Sequence, residues 1–305
     1  MIVLQNASRW YGQVIGLNDV SCEVGPGLTA LLGMNGAGKS TLMRMVTGQL
    51  RPTTGTVSVF GMTPFANPDA FRRLGFCPEI DNFYERWSGR EFITYMARLN
   101  GYSRPEAHRR TEGALERVGM ADRADRAIAG YSKGMRQRIK LAQAILHDPE
   151  IILLDEPLNG LDPLGRRHFM DVLEALANEG RCIMVSSHIL YEVEQMTQTL
   201  LLLHRGRLLA TGDLRVIRSL IDKHPQKIRL ETDDPRRVAT ALAGLPNVLS
   251  LQFEPSGRAL QLEVRDPNSF YEALPALVLD GGLTVNGFSS PDNNLESVFR
   301  YLVQE

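Results

Sequence analysis

Cysteine is sparse and scattered in this chain. The three present, Cys22, Cys77 and Cys182, are odd in number, far apart and without metal-ligand spacing, which argues against a disulfide framework or a zinc site and fits a reducing cytosol. An excess of charge of either sign is also missing. With 34 basic and 35 acidic residues the formal net charge is -1, so no nucleic-acid partner is expected from phosphate neutralisation. The strongest apolar runs, Ile151 to Leu154 and Leu200 to Leu203, fall far short of the roughly 20 residues that cross a bilayer. The opening MIVLQNASRWYG lacks a basic segment followed by an apolar stretch and a small-residue cleavage site, so it does not read as a signal peptide. Any membrane role is expected to be borrowed from a partner, and no short repeat or low-complexity segment stands out. What remains is an ordinary globular composition, 43% hydrophobic and 23% charged over 305 residues, enough for one large domain and a smaller appendage.

Short β-rich runs come first: Ile2 to Leu4, a segment around Cys22 to Val24, Leu28 to Leu32, and an alternating stretch with Val57, Val59 and Phe60. A helix is expected among them from Lys39, with Leu42, Met45 and Val46 on one face, ended by Gly48 and Pro52. From about residue 87 to 146 the pattern is helical, with Phe92, Met96 and Leu99 on one stripe and Ile139, Ala142, Ile145 and Leu146 on another. Buried-strand patterns return at Ile151 to Leu154 and Cys182 to Val185, separated by a helix through Phe169 to Ala177, the alternation of a parallel sheet. The texture changes near Asp222 to Pro225. Beyond it we read strand Ile228 to Glu231, helix Pro235 to Leu242, strand Val248 to Phe253, strand Leu260 to Val264, helix Asn268 to Leu279 and strand Leu283 to Phe288, a split βαβ pattern of ferredoxin-like type. A last helix is expected over Leu295 to Val303.

Chemistry concentrates in three places. GMNGAGKST, Gly33 to Thr41, matches the full phosphate-loop pattern, follows an apolar strand and opens a helix. Gly33, Gly36 and Gly38, with Asn35 and Ala37 between them, let backbone N–H groups curl toward phosphates. Lys39 reaches the β- and γ-phosphates, and Ser40, followed by Thr41, offers a hydroxyl to Mg2+. The expected cofactors are therefore ATP and Mg2+. IILLDEP, Ile151 to Pro157, delivers Asp155 and Glu156 to the C-terminal end of a buried strand, where open α/β sheets bind ligands. There Asp155 would hold Mg2+ and Glu156 would orient and deprotonate the attacking water. His188 follows the next expected strand after Ser186 and Ser187, in reach of the γ-phosphate.

With YSKGMRQR, Tyr131 to Arg138, the chain resembles the ATP-binding cassette (ABC) family, whose signature LSGGQ corresponds to Tyr131 through Met135. The resemblance spans Met1 to about Leu214. It implies an α/β P-loop NTPase fold, an ABC ATPase domain with an inserted helical subdomain, over residues 1–221; the pattern read above makes residues 222–305 a small α+β ferredoxin-like C-terminal domain. It also implies that the signature of one subunit covers the ATP held by the phosphate loop of a second, head-to-tail subunit, with Ser132 and Gly134 contacting nucleotide; a homodimer is expected. Ser132 and Gly134 stand where a helix begins, which suits an anion, and Ser132 could equally cap that helix with no ligand. Tyr11 matches the adenine-stacking aromatic or is a packed turn residue. Asn159 to Asp162 match the loop that meets the facing subunit, or simply make a turn.

Three departures from the family pattern are visible. Glu79 replaces the usual glutamine that contacts Mg2+ and water, Lys133 and Met135 alter the signature, and Leu158 replaces a common threonine. In the family, the region of Asp81 to Trp87 receives a short helix from a membrane subunit, so Phe83, Tyr84 and Trp87 are docking residues or core. The resemblance implies an ATP-hydrolysing subunit of an exporter, cytoplasmic and peripheral to the membrane through multi-span permease subunits, with a C-terminal domain that is accessory or regulatory, or else a dimer-stabilising extension with no ligand. The alternative is a soluble ABC ATPase that remodels nucleic acid or ribosomes. A single phosphate loop, a single signature and no basic excess count against that alternative, and Glu156 counts against a switch without turnover.

Overall fold

The computed structural model describes residues 1–213 and 225–290. The chain divides into two compact units, one of residues 1–213 and one beginning at Leu214. The change of texture at Asp222 to Pro225 falls largely within 214–224, and the helix expected over Leu295 to Val303 also lies outside the described residues.

In the first unit β1 (Ile2–Tyr11) and β2 (Val14–Val24) form an antiparallel hairpin. After β3 (Gly27–Leu32) and α1 (Lys39–Val46), β4 (Thr54–Val59) pairs with β1, giving a small sheet of order β2-β1-β4. The hairpin strands run well beyond the short apolar seeds. Register shifts between Leu4 and Ala7, and again near Arg9, break the alternation that pattern reading relies on.

The chain continues through α2 (Pro68–Phe71), β5 (Leu74–Cys77), α3 (Gly89–Leu99), α4 (Arg104–Arg117), α5 (Lys133–Ile145), β6 (Ile151–Leu154), α6 (Pro163–Asn178), β7 (Cys182–Ser187), α7 (Leu190–Met196), β8 (Thr199–His204) and β9 (Arg207–Asp213). The second sheet has the order β5-β6-β7-β3-β8-β9. All its neighbours pair in parallel except the final pair, β8 and β9. Its central strands are buried on both faces, and their side chains alternate between two cores. Ile152, Leu154, Ile183 and Val185 join the core of the helical region from α3 to α6. Ile151, Leu153, Cys182 and Met184 join the core shared with α1 and the small sheet.

Local signals set the helix ends. Ser88 and Glu91 form a reciprocal capping box on α3. Asp162 accepts from Gly165 N (2.7 Å) at the start of α6, with Pro163 at its first position. That cap starts α6 six residues before the stripe that reveals it.

The second unit contains β10 (Gln226–Glu231), α8 (Pro235–Leu242), β11 (Val248–Phe253), β12 (Ala259–Val264), α9 (Pro267–Gly281) and β13 (Gly287–Ser289). The antiparallel order β11-β12-β10-β13 is the split βαβ arrangement. The last strand is shorter and later than Leu283 to Phe288. Gly282 takes a left-handed conformation and Leu283 N donates to Val278 O, closing the helix rather than starting a ladder.

Candidate nucleotide site

The glycine-rich segment leaves the C-terminal end of β3 and curls back on itself: Gly33 N donates to Ser187 O (3.2 Å) and Ala37 N to Met34 O (3.0 Å). Two glycines are obligatory here. A Cβ on Gly33 would stand 2.7 Å from Leu203 O, and one on Gly38, at φ +106°, 2.5 Å from Gly16 O. Both obstacles are backbone, so the loop has no flexible neighbour to move aside. Gly38→Ala is expected to cost about 2–4 kcal/mol of stability and to abolish measurable ATP binding, read by thermal melting and a fluorescent-nucleotide titration.

The loop from Met34 to Thr41 forms one wall of a cleft of about 500 Å3, which Tyr11, Ile15, Glu79, Asp155 and Glu156 also line. Strand order explains this convergence. Glu79, the acidic pair and the glycine loop all follow the C-terminal ends of parallel strands, β5, β6 and β3, on one sheet edge. Tyr11 is 42% exposed at the mouth, its hydroxyl 3.4 Å from Thr41 Oγ1 and the Arg9 guanidinium 5.1 Å from its ring centre.

Inside the cleft Lys39 is almost fully buried. Its Nζ donates to Gly33 O (2.6 Å) and lies 3.1 Å from Glu156 Oε1. The Glu156 contact is electrostatic rather than an aligned hydrogen bond, and among the described residues Oε1 receives no such bond. Glu156 Oε2 is 2.9 Å from His188 Nδ1, so the histidine from the end of β7 reaches the carboxylate from the end of β6. Glu156 also has φ +48°, a conformation that a bulky residue adopts only under constraint. One source of that constraint is Ser186. Its Oγ accepts from Glu156 N (2.8 Å) and donates to Asp155 Oδ1 (2.7 Å), fixing both acids at once.

The donors Ser40, Glu79 and Asp155 share this cleft. They offer hard oxygens, the chemistry Mg2+ selects, and among the described residues no three His, Cys, Asp or Glu side chains converge into a metal cage. A site with one or two carboxylates that leaves other positions to phosphate and water suits Mg2+.

Ser132 and Gly134 do not line this cleft. Ser132 caps α5, its Oγ accepting from Met135 N (3.3 Å), which leaves its own hydroxyl proton free to donate outward. Lys133 lies over Gly160, where a Cβ would stand 2.5 Å from its Nζ; Gly160, at φ +71°, makes room for it. Tyr131 serves the fold. Its hydroxyl accepts from Gly89 N (3.2 Å) and approaches the carbonyls of Arg123 and Ala124.

The aromatic cluster divides between core and surface. Phe83 is half-buried, edge-on to Phe92 with centroids 5.0 Å apart. Tyr84 is 53% exposed and packs on Trp87 at 4.6 Å, and Trp87 in turn meets Tyr95 edge-on at 5.1 Å. Tyr95 was not singled out in the sequence, although it lies one position before Met96 on the expected helix.

Two further residues escape pattern reading. Arg136 forms paired bonds to Asp81 (2.9 and 3.0 Å) and to Glu85 (2.6 and 3.0 Å), and these bonds hold both carboxyls below their usual range. Lys140, 3% exposed, donates to Pro78 O (2.7 Å) and Glu79 O (2.8 Å), and burial lowers the pKa of its ammonium. The signal for Lys140 was its charge within the otherwise apolar run Ile139 to Ala142 of α5. Beside it, burial pushes the Cys77 thiol up to about 11, leaving an inert thiol.

A family model described as ABC transporter matches residues 17–159. The chain is 30% identical over 305 residues to the uncharacterized ABC transporter ATP-binding protein YxlF of Bacillus subtilis (strain 168), covering 99% of each. The chain belongs to the ABC transporter ATP-binding subunits. Within this family it is 31% identical to the daunorubicin/doxorubicin resistance ATP-binding protein DrrA of Streptomyces peucetius, over 95% of this chain and 88% of that one. A solved ATP-binding subunit of an ABC transporter, 31% identical, superposes with a TM-score of 0.65 over 72% of this chain and 92% of its own. The chain is thus an ATP-binding, ATP-hydrolysing ABC ATPase with the P-loop cassette fold.

Proposed function

We propose that this ABC subunit powers an exporter, and that two copies facing head to tail sandwich ATP between the phosphate loop of one and the signature of the other. The observation that carries this reading is the joining of Lys39, Glu156 and His188 on one sheet edge, with Ser132 of the same chain outside that cleft. In this reading the loop N–H groups and Lys39 bind the triphosphate, and Ser40, Asp155 and Glu79 hold Mg2+. When bound, Mg2+ supplies neutralisation of charge on the β- and γ-phosphate oxygens. Glu156 orients the attacking water and takes its proton at a carboxylate oxygen, while His188 holds that carboxylate and faces the γ-phosphate. Tyr11 stacks on the base. Ser132 donates its hydroxyl proton, and the start of α5 near Gly134 its N–H groups, to the phosphate of the facing copy.

Closure driven by ATP is coupled to multi-span permease subunits through the exposed Tyr84 and Tyr95 and the half-buried Trp87 between them, which suit an apolar helix. Among the described residues no helix is long and apolar enough to cross a membrane, so this reading puts the subunit at the cytoplasmic face. The boundary near residue 221 and an accessory role for the C-terminal domain belong to the same proposal. DrrA, named for drug resistance, supports the exporter reading. Two measurements test it. ATPase activity per chain should rise with protein concentration and fall at least about tenfold in Ser132→Arg, which places bulk at the proposed contact; rates independent of both would sink the sandwich. Affinity purification from solubilised membranes should bring down a multi-span protein; ribosomal or nucleic-acid partners would instead favour the remodelling alternative.

A further inference from the structure

We propose that Lys140 is a positioning residue for Glu79, fixing where that carboxylate enters the nucleotide cleft. This inference rests on the reading of the cleft given above. Burying a lysine is costly unless its protons are satisfied, and Lys140 meets that cost with two backbone carbonyls, Pro78 O and Glu79 O. Those are the first two residues after Cys77, the last of β5, whose own carbonyl accepts from Asp155 N (2.9 Å). The peptide that turns Glu79 into the cleft is therefore pinned on one side by the acidic strand and on the other by α5.

Charge supports the same role. Glu79, Asp155 and Glu156 all line the cleft, and the cation inside it, Lys39, already lies against Glu156. Lys140 supplies a second buried positive charge directly beneath Glu79, which lowers the cost of a third carboxylate facing a triphosphate. The hold is also part of a longer arrangement. Arg136 and Lys140 are spaced by four along one stripe of α5. Arg136 grips Asp81 and Glu85, so the segment from Pro78 to Glu85 is anchored to this helix at four residues.

The test uses the full chain and the variants Lys140→Met, Lys140→Arg, Glu79→Ala and Lys140→Met with Glu79→Ala. Lys140→Met should raise amide hydrogen exchange across residues 79–85 about tenfold with no nucleotide added. It should also lower kcat about 10- to 100-fold while changing KM less than about threefold, because misplacement harms turnover more than binding. Lys140→Arg, which can donate to both carbonyls, should restore most of kcat. Added to Glu79→Ala, Lys140→Met should lower kcat by less than about threefold more, since no functional side chain is left at that position for it to place. Unchanged exchange and kcat in Lys140→Met, or equal losses in both Glu79 backgrounds, would overturn the proposal. If Glu79→Ala alone leaves kcat and KM untouched, the role of Glu79 fails, and the exchange measurement still reports separately whether Lys140 holds the segment. Should Lys140→Met not fold, Lys140→Gln, which keeps a donor and loses the charge, decides by the same measurements.

Discussion

Glu156→Gln is expected to lower ATP turnover about 100- to 1000-fold, the range for removing a positioned general base, while ATP affinity rises by a small factor. The reason lies in the Lys39 contact. In the native chain the Glu156 carboxylate shares the Lys39 ammonium at 3.1 Å and repels any triphosphate that approaches the same cation. Glutamine keeps the size and a hydrogen-bonding oxygen for His188 but removes the charge, so Lys39 is released to phosphate and the water loses its proton acceptor. ATP should then hold the chain as a stable dimer, visible by size-exclusion chromatography and collapsing when the nucleotide is removed. Unchanged turnover would refute the role assigned to Glu156.

Lys39→Met should act in the opposite sense on binding. Losing charge-assisted bonds to two phosphates, each worth about 1.5 kcal/mol, predicts ATP affinity weaker by about 100-fold, measured by isothermal titration. The same change strands the buried Glu156 carboxylate with His188 as its remaining side-chain partner, and stability should fall by about 1–3 kcal/mol. The double variant Lys39→Met with Glu156→Gln separates the two effects. Melting temperature should largely recover because both charges of the Lys39–Glu156 pair are removed together, whereas affinity should stay low. Recovery of affinity in the double variant would show that electrostatic repulsion, rather than the loss of Lys39, governs binding.

Much of this site is legible in a single sequence because its parts are contiguous. The nine residues from Gly33 to Thr41 carry their own glycines, helix start and lysine, and the constraint behind Gly38 is a local φ of +106° together with a close backbone neighbour. Asp155 and Glu156 announce themselves by following four buried apolar residues. Other parts are hidden for physical reasons. Ser186 looks like any small residue at a strand end until β7 lies beside β6, and Lys140 looks like a charge interrupting an apolar run until the turn after β5 lies under α5. The bulged hairpin of β1 and β2 is hidden for a third reason, since each register shift exchanges the inward and outward faces.

The sequence by itself determined the phosphate loop, the acidic strand end, the helical insertion and the parallel alternation, because each is written in the spacing of neighbours along the chain. Only the tertiary structure decided that Lys39, Glu156 and His188 meet, that Ser186 ties the two acids together, and that α5 grips the segment carrying Glu79. Those contacts join residues about 30 to 120 positions apart, and only the order of strands in the sheet, which no local periodicity encodes, sets which distant ends become neighbours.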